Sequence, residues 1–421
     1  MIRSKKLGLI APLALASVLN AGNVVADWNA IGSTTVIANG GKAPAASTVW
    51  LAYSSLAMYD AVNAITGDYE PFYYRIAGPS NASIDAAAVA AAHRILVNYF
   101  PLQQTALDTQ FTASLAAVMG DQDAKTAGVA VGEAAAMAVI SARTGDGLEA
   151  NVTYTPGSGP GAWIPTPPAY AAPATPWLGQ MRPFTMKAAS DQLPDPPRAL
   201  VSSEPWSRDY NLTRNYGGTN STVRSAAETE IGVFWTEHTG QQYVRVFNNL
   251  VSNNNLGTAD AARLMAMLWT GVADAAIGCF NGKYKYGFWR PVTAIPAGGG
   301  NADTPADPAW VSLGTTPNHP EYPAAHGCLT GAATTLIAGF FGTTRVHVVT
   351  DSLAFTDGVH RHVFEDTRDW MDEVFWARMY AGFHFYHSLE AGRQLGETVA
   401  QGVARNHFRA VKSLRDGAGI Q

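Results

Sequence analysis

Lys283-Tyr-Lys-Tyr-Gly-Phe-Trp-Arg290-Pro291 follows a helical run that begins at Thr258 and sets two cations seven residues apart. On a helix that spacing places Lys283 and Arg290 on one face, two turns apart. Pro291 is expected to stop or bend the helix there. Beside Trp289, such a pair could grip an oxyanion, Arg in bidentate fashion and Lys as a point charge. Taken alone, the pair reads first as a solvated cationic face.

Two later stretches share this double character. His319-Pro-Glu-Tyr-Pro323-Ala324-Ala325-His326-Gly327 opens an Ala-rich helix. Its first free N–H groups would point at an anion, with His326 able to exchange a proton there. A lone His at a helix start is more often a structural hydrogen-bonder. Arg378-Met-Tyr-Ala-Gly382-Phe-His384 places a His six residues after an Arg, and Gly382 would admit a ligand or another helix. His384 could coordinate a metal centre or attack phosphorus.

Together the three segments read Lys-x6-Arg-Pro, Pro-x-x-His and Arg-x5-His, in that order. This resembles the signature of the vanadium haloperoxidase and type 2 phosphatidic acid phosphatase superfamily. Phe288-Trp-Arg-Pro-Val-Thr-Ala-Ile295, His319-Pro-Glu-Tyr-Pro323, Leu56-Ala-Met-Tyr-Asp-Ala-Val-Asn63 and Pro165-Thr-Pro-Pro168 resemble its secreted haloperoxidase-related branch. The resemblance implies vanadate as cofactor. Lys283, Arg290 and Arg378 would neutralise the equatorial oxygens, and backbone N–H groups near Ala325 would add to that grip. His384 would be the axial vanadium ligand or phosphoryl acceptor, His326 the acid–base residue, and His319 a neighbour of the halide site that hints at bromide or iodide. In elementary terms, an oxyanion of this charge needs about three cations, several N–H donors and an axial nucleophile.

Two positions depart from the family. Ala324-Ala325 stands where Ser-Gly is usual, a lost hydroxyl donor worth roughly 1–3 kcal/mol if buried. Ser388 stands where an Asp often orients the axial ring, so Glu390 or a residue from elsewhere is expected to substitute.

The rest of the chain supplies the setting. It has 421 residues, 47% hydrophobic and 14% charged, enough apolar material for a large core. A net charge of −5 offers no global field for nucleic acid. Arg3, Lys5 and Lys6, the apolar run Leu7 to Leu19, and Val24-Val25-Ala26 read as a signal peptide over residues 1–26, and so as export to the periplasm or exterior. No later segment is expected to span a membrane. Apolar residues recur at three and four over Thr48–Ile65, Ser83–Phe100, Gln103–Met119, Gln122–Arg143, Ser221–His238, Gln241–Val251, Gly327–Phe341, Glu365–Gly382 and Ser388–Phe408. No strand ladder is apparent. Thr153 to Pro197 is rich in Pro and Gly, yet Trp163, Tyr170, Trp177 and Phe184 predict a docked loop rather than a floppy linker. The expected fold is all-α, a bundle of roughly ten helices with long Pro/Gly-rich loops. It forms a single domain over 27–421, with N-terminal helices and the loop in 27–220 and the site-bearing helices in 221–421.

Three functions fit. The first is a vanadate-dependent haloperoxidase using hydrogen peroxide and halide, and the second an exported phosphatase acting on a phosphoester through a phosphohistidine. The third is a binding protein with a degraded oxyanion site, suggested by Ala324, Ala325 and Ser388. A homo-oligomer and a Cys279–Cys328 disulfide stay open. His360-Arg-His362 with Glu365 and Asp366 is a weaker candidate for zinc or copper.

Overall fold

The structure, a computed structural model, describes residues 22–197 and 204–411. The first half contributes α1 (Val24–Ser33), α2 (Pro44–Thr66), α3 (Ile84–Tyr99), α4 (Gln104–Ala117) and α5 (Gln122–Arg143). The second contributes α6 (Glu204–Gly217), α7 (Ala226–Phe234), α8 (Thr239–Asn253), α9 (Thr258–Tyr286), α10 (Pro291–Ala297), α11 (Ala325–Phe341), α12 (Thr367–Tyr380) and α13 (Tyr386–Asn406). The fold is therefore mostly helical, as its periodicity predicted. Capping follows local chemistry: Ser83 and Asp121 accept first-turn N–H groups of α3 and α5, and Ser225 forms a capping box with Glu228 on α7.

The core is built around α9, buried almost continuously from Ala261 to Phe280 against α2, α11 and α13. The pair α11 and α13 is drawn together by glycines. A Cβ on Gly396 would lie 2.1 Å from the Cys328 carbonyl, and one on Gly392 would lie 2.4 Å from that of Ala324. Only bare backbone allows this approach, and it presses the N-terminus of α11 onto the segment carrying His384.

Several expectations are corrected. The described residues include a β-hairpin: β1 (Val348–Ser352) pairs antiparallel with β2 (His360–Phe364). β1 alternates buried and half-buried residues, a five-residue pattern too short to stand out in the sequence. α6 is strongly polar and α10 holds Pro296 inside it, so neither gave an apolar stripe of useful length. Residues 1–21, most of the expected leader, lie outside the described residues, whereas Val24–Ala26 form the first turn of α1 with Val25 fully buried. Two helices, α5 and α9, are long and apolar enough to cross a membrane by composition. In α9 that character serves the core, since its apolar stretch is almost wholly buried inside the protein.

The Pro-rich loop is docked through Trp163, Trp177 and Phe184, whereas Tyr170 is exposed. Trp163 is fully buried, its N–H donates to the Gly287 carbonyl at 2.7 Å, and the Trp289 N–H donates to Gly161 at 3.0 Å. Farther along, the buried Asp274 of α9 accepts from the Phe184 and Thr185 N–H groups at 2.7 Å each, pinning that stretch to the core.

Candidate functional site

Lys283 and Arg290 do not share a helical face. Gly287, at φ +54°, ends α9, and the chain runs extended through Phe288 and Trp289 between Gly161 and Glu321, whose N–H donates to the Phe288 carbonyl. Arg290 then caps α10, with Pro291 as that helix's first residue. Pro291 thus starts a helix rather than bending one, because its fixed φ suits the N1 position. The reversal still brings both cations to one place. Arg378 joins them from α12.

All three are buried: Lys283 and Arg290 completely, Arg378 to within 2%. Lys283 Nζ donates to the Pro320 and Glu321 carbonyls at 3.0 and 2.9 Å. Arg290 donates to the carbonyls of His319 and Phe383, and to the side chains of His384 and His319. Arg378 donates through Nη1 to the Trp235 carbonyl and lies over the Phe383 ring, while its buried Nε–H has no partner among the described residues. Burial pushes Lys283 down to about 8, Arg290 to about 10 and Arg378 to about 9, and repulsion from Arg290 adds to the shift of Lys283 and Arg378. Glu321 is the one carboxylate hydrogen-bonded to the site histidines among the described residues, so positive charge is in excess.

His384 follows Gly382, whose φ of +74° and missing side chain let the Gly217 carbonyl of α6 approach to 2.4 Å of where a Cβ would stand. The glycine therefore admits another helix, not a ligand. The His384 ring is fixed at both nitrogens. Nε2 lies 3.1 Å from Arg290 Nη1, and Nδ1 lies 2.8 Å from Glu321 Oε1. A guanidinium only donates, so Nε2 must be bare and the proton must sit on Nδ1, donated to Glu321. Glu321 is fully buried and also accepts the Phe385 N–H at 3.0 Å. Burial raises its carboxyl, while the nearby cations and this N–H oppose the rise. Glu321 thus fills the orienting place expected of Glu390 or another residue. Ser388 sits beneath it, its hydroxyl 3.4 Å from the Glu321 carbonyl.

His319 Nδ1 lies 3.0 Å from Arg290 Nη2 and 3.2 Å from the Pro320 carbonyl, and its ring lies 5.1 Å from that of Phe280. His326 stands in the first turn of α11, its Nε2 3.0 Å from the Thr239 hydroxyl at the start of α8. Burial and the surrounding cations hold His319, His326 and His384 well below the usual imidazole range, so all three are neutral. Ala324 precedes α11 without a side-chain cap, and the N–H groups of Ala325, His326 and Gly327 have no backbone acceptor among the described residues.

The residues fit a tetrahedral or trigonal-bipyramidal oxyanion. Three buried cations converge with one carboxylate between them, Arg378 keeps an orphaned N–H, a helix N-terminus is uncapped, and a bare imidazole nitrogen lies among them. Lys283, Arg290, Arg378 and the N–H groups at Ala325 could hold vanadate oxygens, with His384 Nε2 available to vanadium.

Other sequence candidates lie elsewhere. His387 turns to Asp209 of α6 at 3.0 Å and stacks on Tyr322. His360 and His362 share Glu230, with Asp357 and Glu373 as further partners, while Glu365 pairs with His347 and Asp366 with Arg368. The described residues hold no group of three or more placed to bind a metal ion. Cys279 and Cys328 are buried free thiols. Glu321 and Thr239 are the site residues the sequence did not single out. Glu321 carried one signal, an acid between two prolines with no cation near it in sequence.

Comparison with known proteins gives a family match over part of the chain and a likeness of fold. Residues 263–413 match the family described as the VCPO second helical-bundle domain. The chain is 27% identical over 149 residues to the vanadium chloroperoxidase of Curvularia inaequalis, a match spanning 29% of this chain and only 24% of that relative. Its fold resembles a bacterial vanadium-dependent iodoperoxidase, with a TM-score of 0.78 and 21% identity, over 94% of this chain and 99% of the other. A holo-type bacterial vanadium-dependent chloroperoxidase matches at a TM-score of 0.69 and 16% identity, over 88% and 93%.

Proposed function

We propose that this chain, which is related to the vanadium haloperoxidases and carries their second helical-bundle domain over residues 263–413, is a vanadate-dependent haloperoxidase that oxidises halide with hydrogen peroxide. The observation that carries the reading is His384. Its Nε2 is bare, its ring is held by Glu321, and it is surrounded by three buried cations that share that one carboxylate among the described residues. Bound vanadate would supply a Lewis-acidic centre able to activate peroxide without a change of oxidation state.

The protein's part is binding, orientation and proton handling. Lys283, Arg290 and Arg378 hold the oxyanion's charge in a low-dielectric setting where each contact counts for more than in water. Glu321 keeps the lone pair of Nε2 directed inward. His326, at the uncapped start of α11, is the residue able to exchange a proton with a bound oxygen. His319, hydrogen-bonded to Arg290, borders the place where halide would arrive. That neighbour and the likeness to a solved iodoperoxidase favour iodide or bromide over chloride. The N-terminal segment with Arg3, Lys5, Lys6 and Leu7 to Leu19 favours export.

The same bare nitrogen would serve a phosphatase, with His384 taking a phosphoryl group and His326 protonating the leaving oxygen. Calorimetric titration with vanadate, followed by bromide and iodide oxidation assays on the same sample, separates the two. Tight binding with vanadate-dependent halide oxidation is expected. Vanadate that binds and only inhibits phosphoester hydrolysis overturns the haloperoxidase reading, and His384→Ala should abolish either activity with the fold retained.

A further inference from the structure

We infer that Thr239 selects the tautomer of His326, so that His326 meets a bound oxyanion as a neutral Nδ1–H donor; this rests on the oxyanion reading of the site. Thr239 is the first residue of α8 and is 2% exposed. Its hydroxyl oxygen lies 3.0 Å from His326 Nε2 and makes no other hydrogen bond among the described residues. One turn farther along both helices, Tyr243 Oη and Thr330 Oγ1 lie 2.6 Å apart, a second rung that fixes the register of α8 against α11.

A buried hydroxyl proton needs an acceptor, and the one within reach is Nε2. If Thr239 donates there, the neutral ring carries its proton on Nδ1, which has no protein partner among the described residues. The charged groups facing the ring are Arg378 from α12, Lys283 from α9 and Arg290 at the start of α10, with the imidazole of His319 nearby. No carboxylate among the described residues is hydrogen-bonded to it. His384, His387, His360 and His362 all have one. The partner biases the ring's charge: a carboxylate favours an imidazolium and a hydroxyl does not, although at His384 burial and the cations outweigh Glu321. A neutral Nδ1–H also supplies a donor that Ala324 cannot, two residues farther along the same segment.

The test is nitrogen-15 NMR of the full-length protein, with the His326 ring signals assigned by difference from His326→Gln. They are recorded for wild type, Thr239→Ser, Thr239→Val and Thr239→Asp, alongside vanadate calorimetry and the pH profile of halide oxidation. Wild type and Thr239→Ser should show the Nδ1–H neutral pattern through the neutral pH range. Thr239→Val should lose it, and Thr239→Asp should move the proton to Nε2 and shift the activity profile toward higher pH. An Nε2–H pattern in wild type, or a tautomer unchanged in Thr239→Val, overturns the inference. So does a loss of vanadate affinity of about tenfold or more in Thr239→Val with the tautomer intact, since the hydroxyl would then be touching the anion itself. Wild type that binds neither vanadate nor phosphate sinks the oxyanion reading, whereas the NMR pattern reports on Thr239 separately.

Discussion

Glu321 and His384 stand 63 residues apart in the chain and 2.8 Å apart in space, and the carboxylate determines which imidazole nitrogen is bare. Replacing Glu321 with Gln keeps the size but removes the charge and lets the amide present either a donor or an acceptor to Nδ1. The expected result is a loss of about 10- to 100-fold in vanadate affinity, with the fold largely intact, read by calorimetry and circular dichroism. Full affinity in Glu321→Gln would mean that packing alone orients the ring.

Lys283 carries a pH consequence of definite sign. Its ammonium is pushed down to about 8 by burial, against an ordinary value of 10.5. Between these two values the unfolded chain holds a proton that the folded chain has released, so stability of the anion-free protein should rise with pH across that window. Oxyanion affinity should run the other way and weaken as pH climbs past about 8 and the cation is lost. Titrations and thermal melts over the same pH series check both signs, and a flat vanadate affinity across that range would refute the second.

The hairpin β1–β2 should respond with the opposite sign. Hydrogen bonding to Glu230 raises His360. For His362, burial pulls downward, but Glu373 and Glu230 outweigh it and the net shift is upward. A raised imidazole contributes stability that is complete below its unfolded value of about 6.5 and is lost as pH rises through the folded value. The melting temperature attributable to this cluster should therefore fall on going from mildly acid to alkaline conditions, and Glu230→Gln should flatten that slope. An unchanged slope in the variant would show that other groups set it.

Gly382→Ala places a methyl group 2.4 Å from the Gly217 carbonyl on a residue held at φ +74°. Left-handed strain alone costs about 1–2 kcal/mol, and the clash adds to it. Because Gly382 lies between Arg378 and His384, the variant should show a lower melting temperature together with weaker vanadate binding. Loss of stability without loss of binding would mean that the strain is absorbed on the α6 side.

The sequence showed its helices wherever an apolar stripe ran for several turns, as in Gln122–Arg143 or the run from Thr258. It was blind to α6, whose polar surface gives no such stripe, and to β1–β2, whose five-residue strands leave too little period to detect. The three cations and three histidines were visible because each sits in a short local pattern, and the fold brings them together. The error over Lys283 and Arg290 arose from assuming one continuous helix, when Gly287 in a left-handed conformation turns the chain between them. Glu321 and Thr239 escaped because their roles exist only through contacts across 63 and 87 residues, which no local spacing encodes.

His319, Glu321 and His326 occupy a single short stretch, 319–326, and touch respectively Arg290, His384 and Thr239. The three contacts belong to three different tasks, yet eight consecutive residues, a loop and the first turn of α11, supply one side of each. A single small graft spanning these residues would thus carry that side of all three contacts at once into a related scaffold.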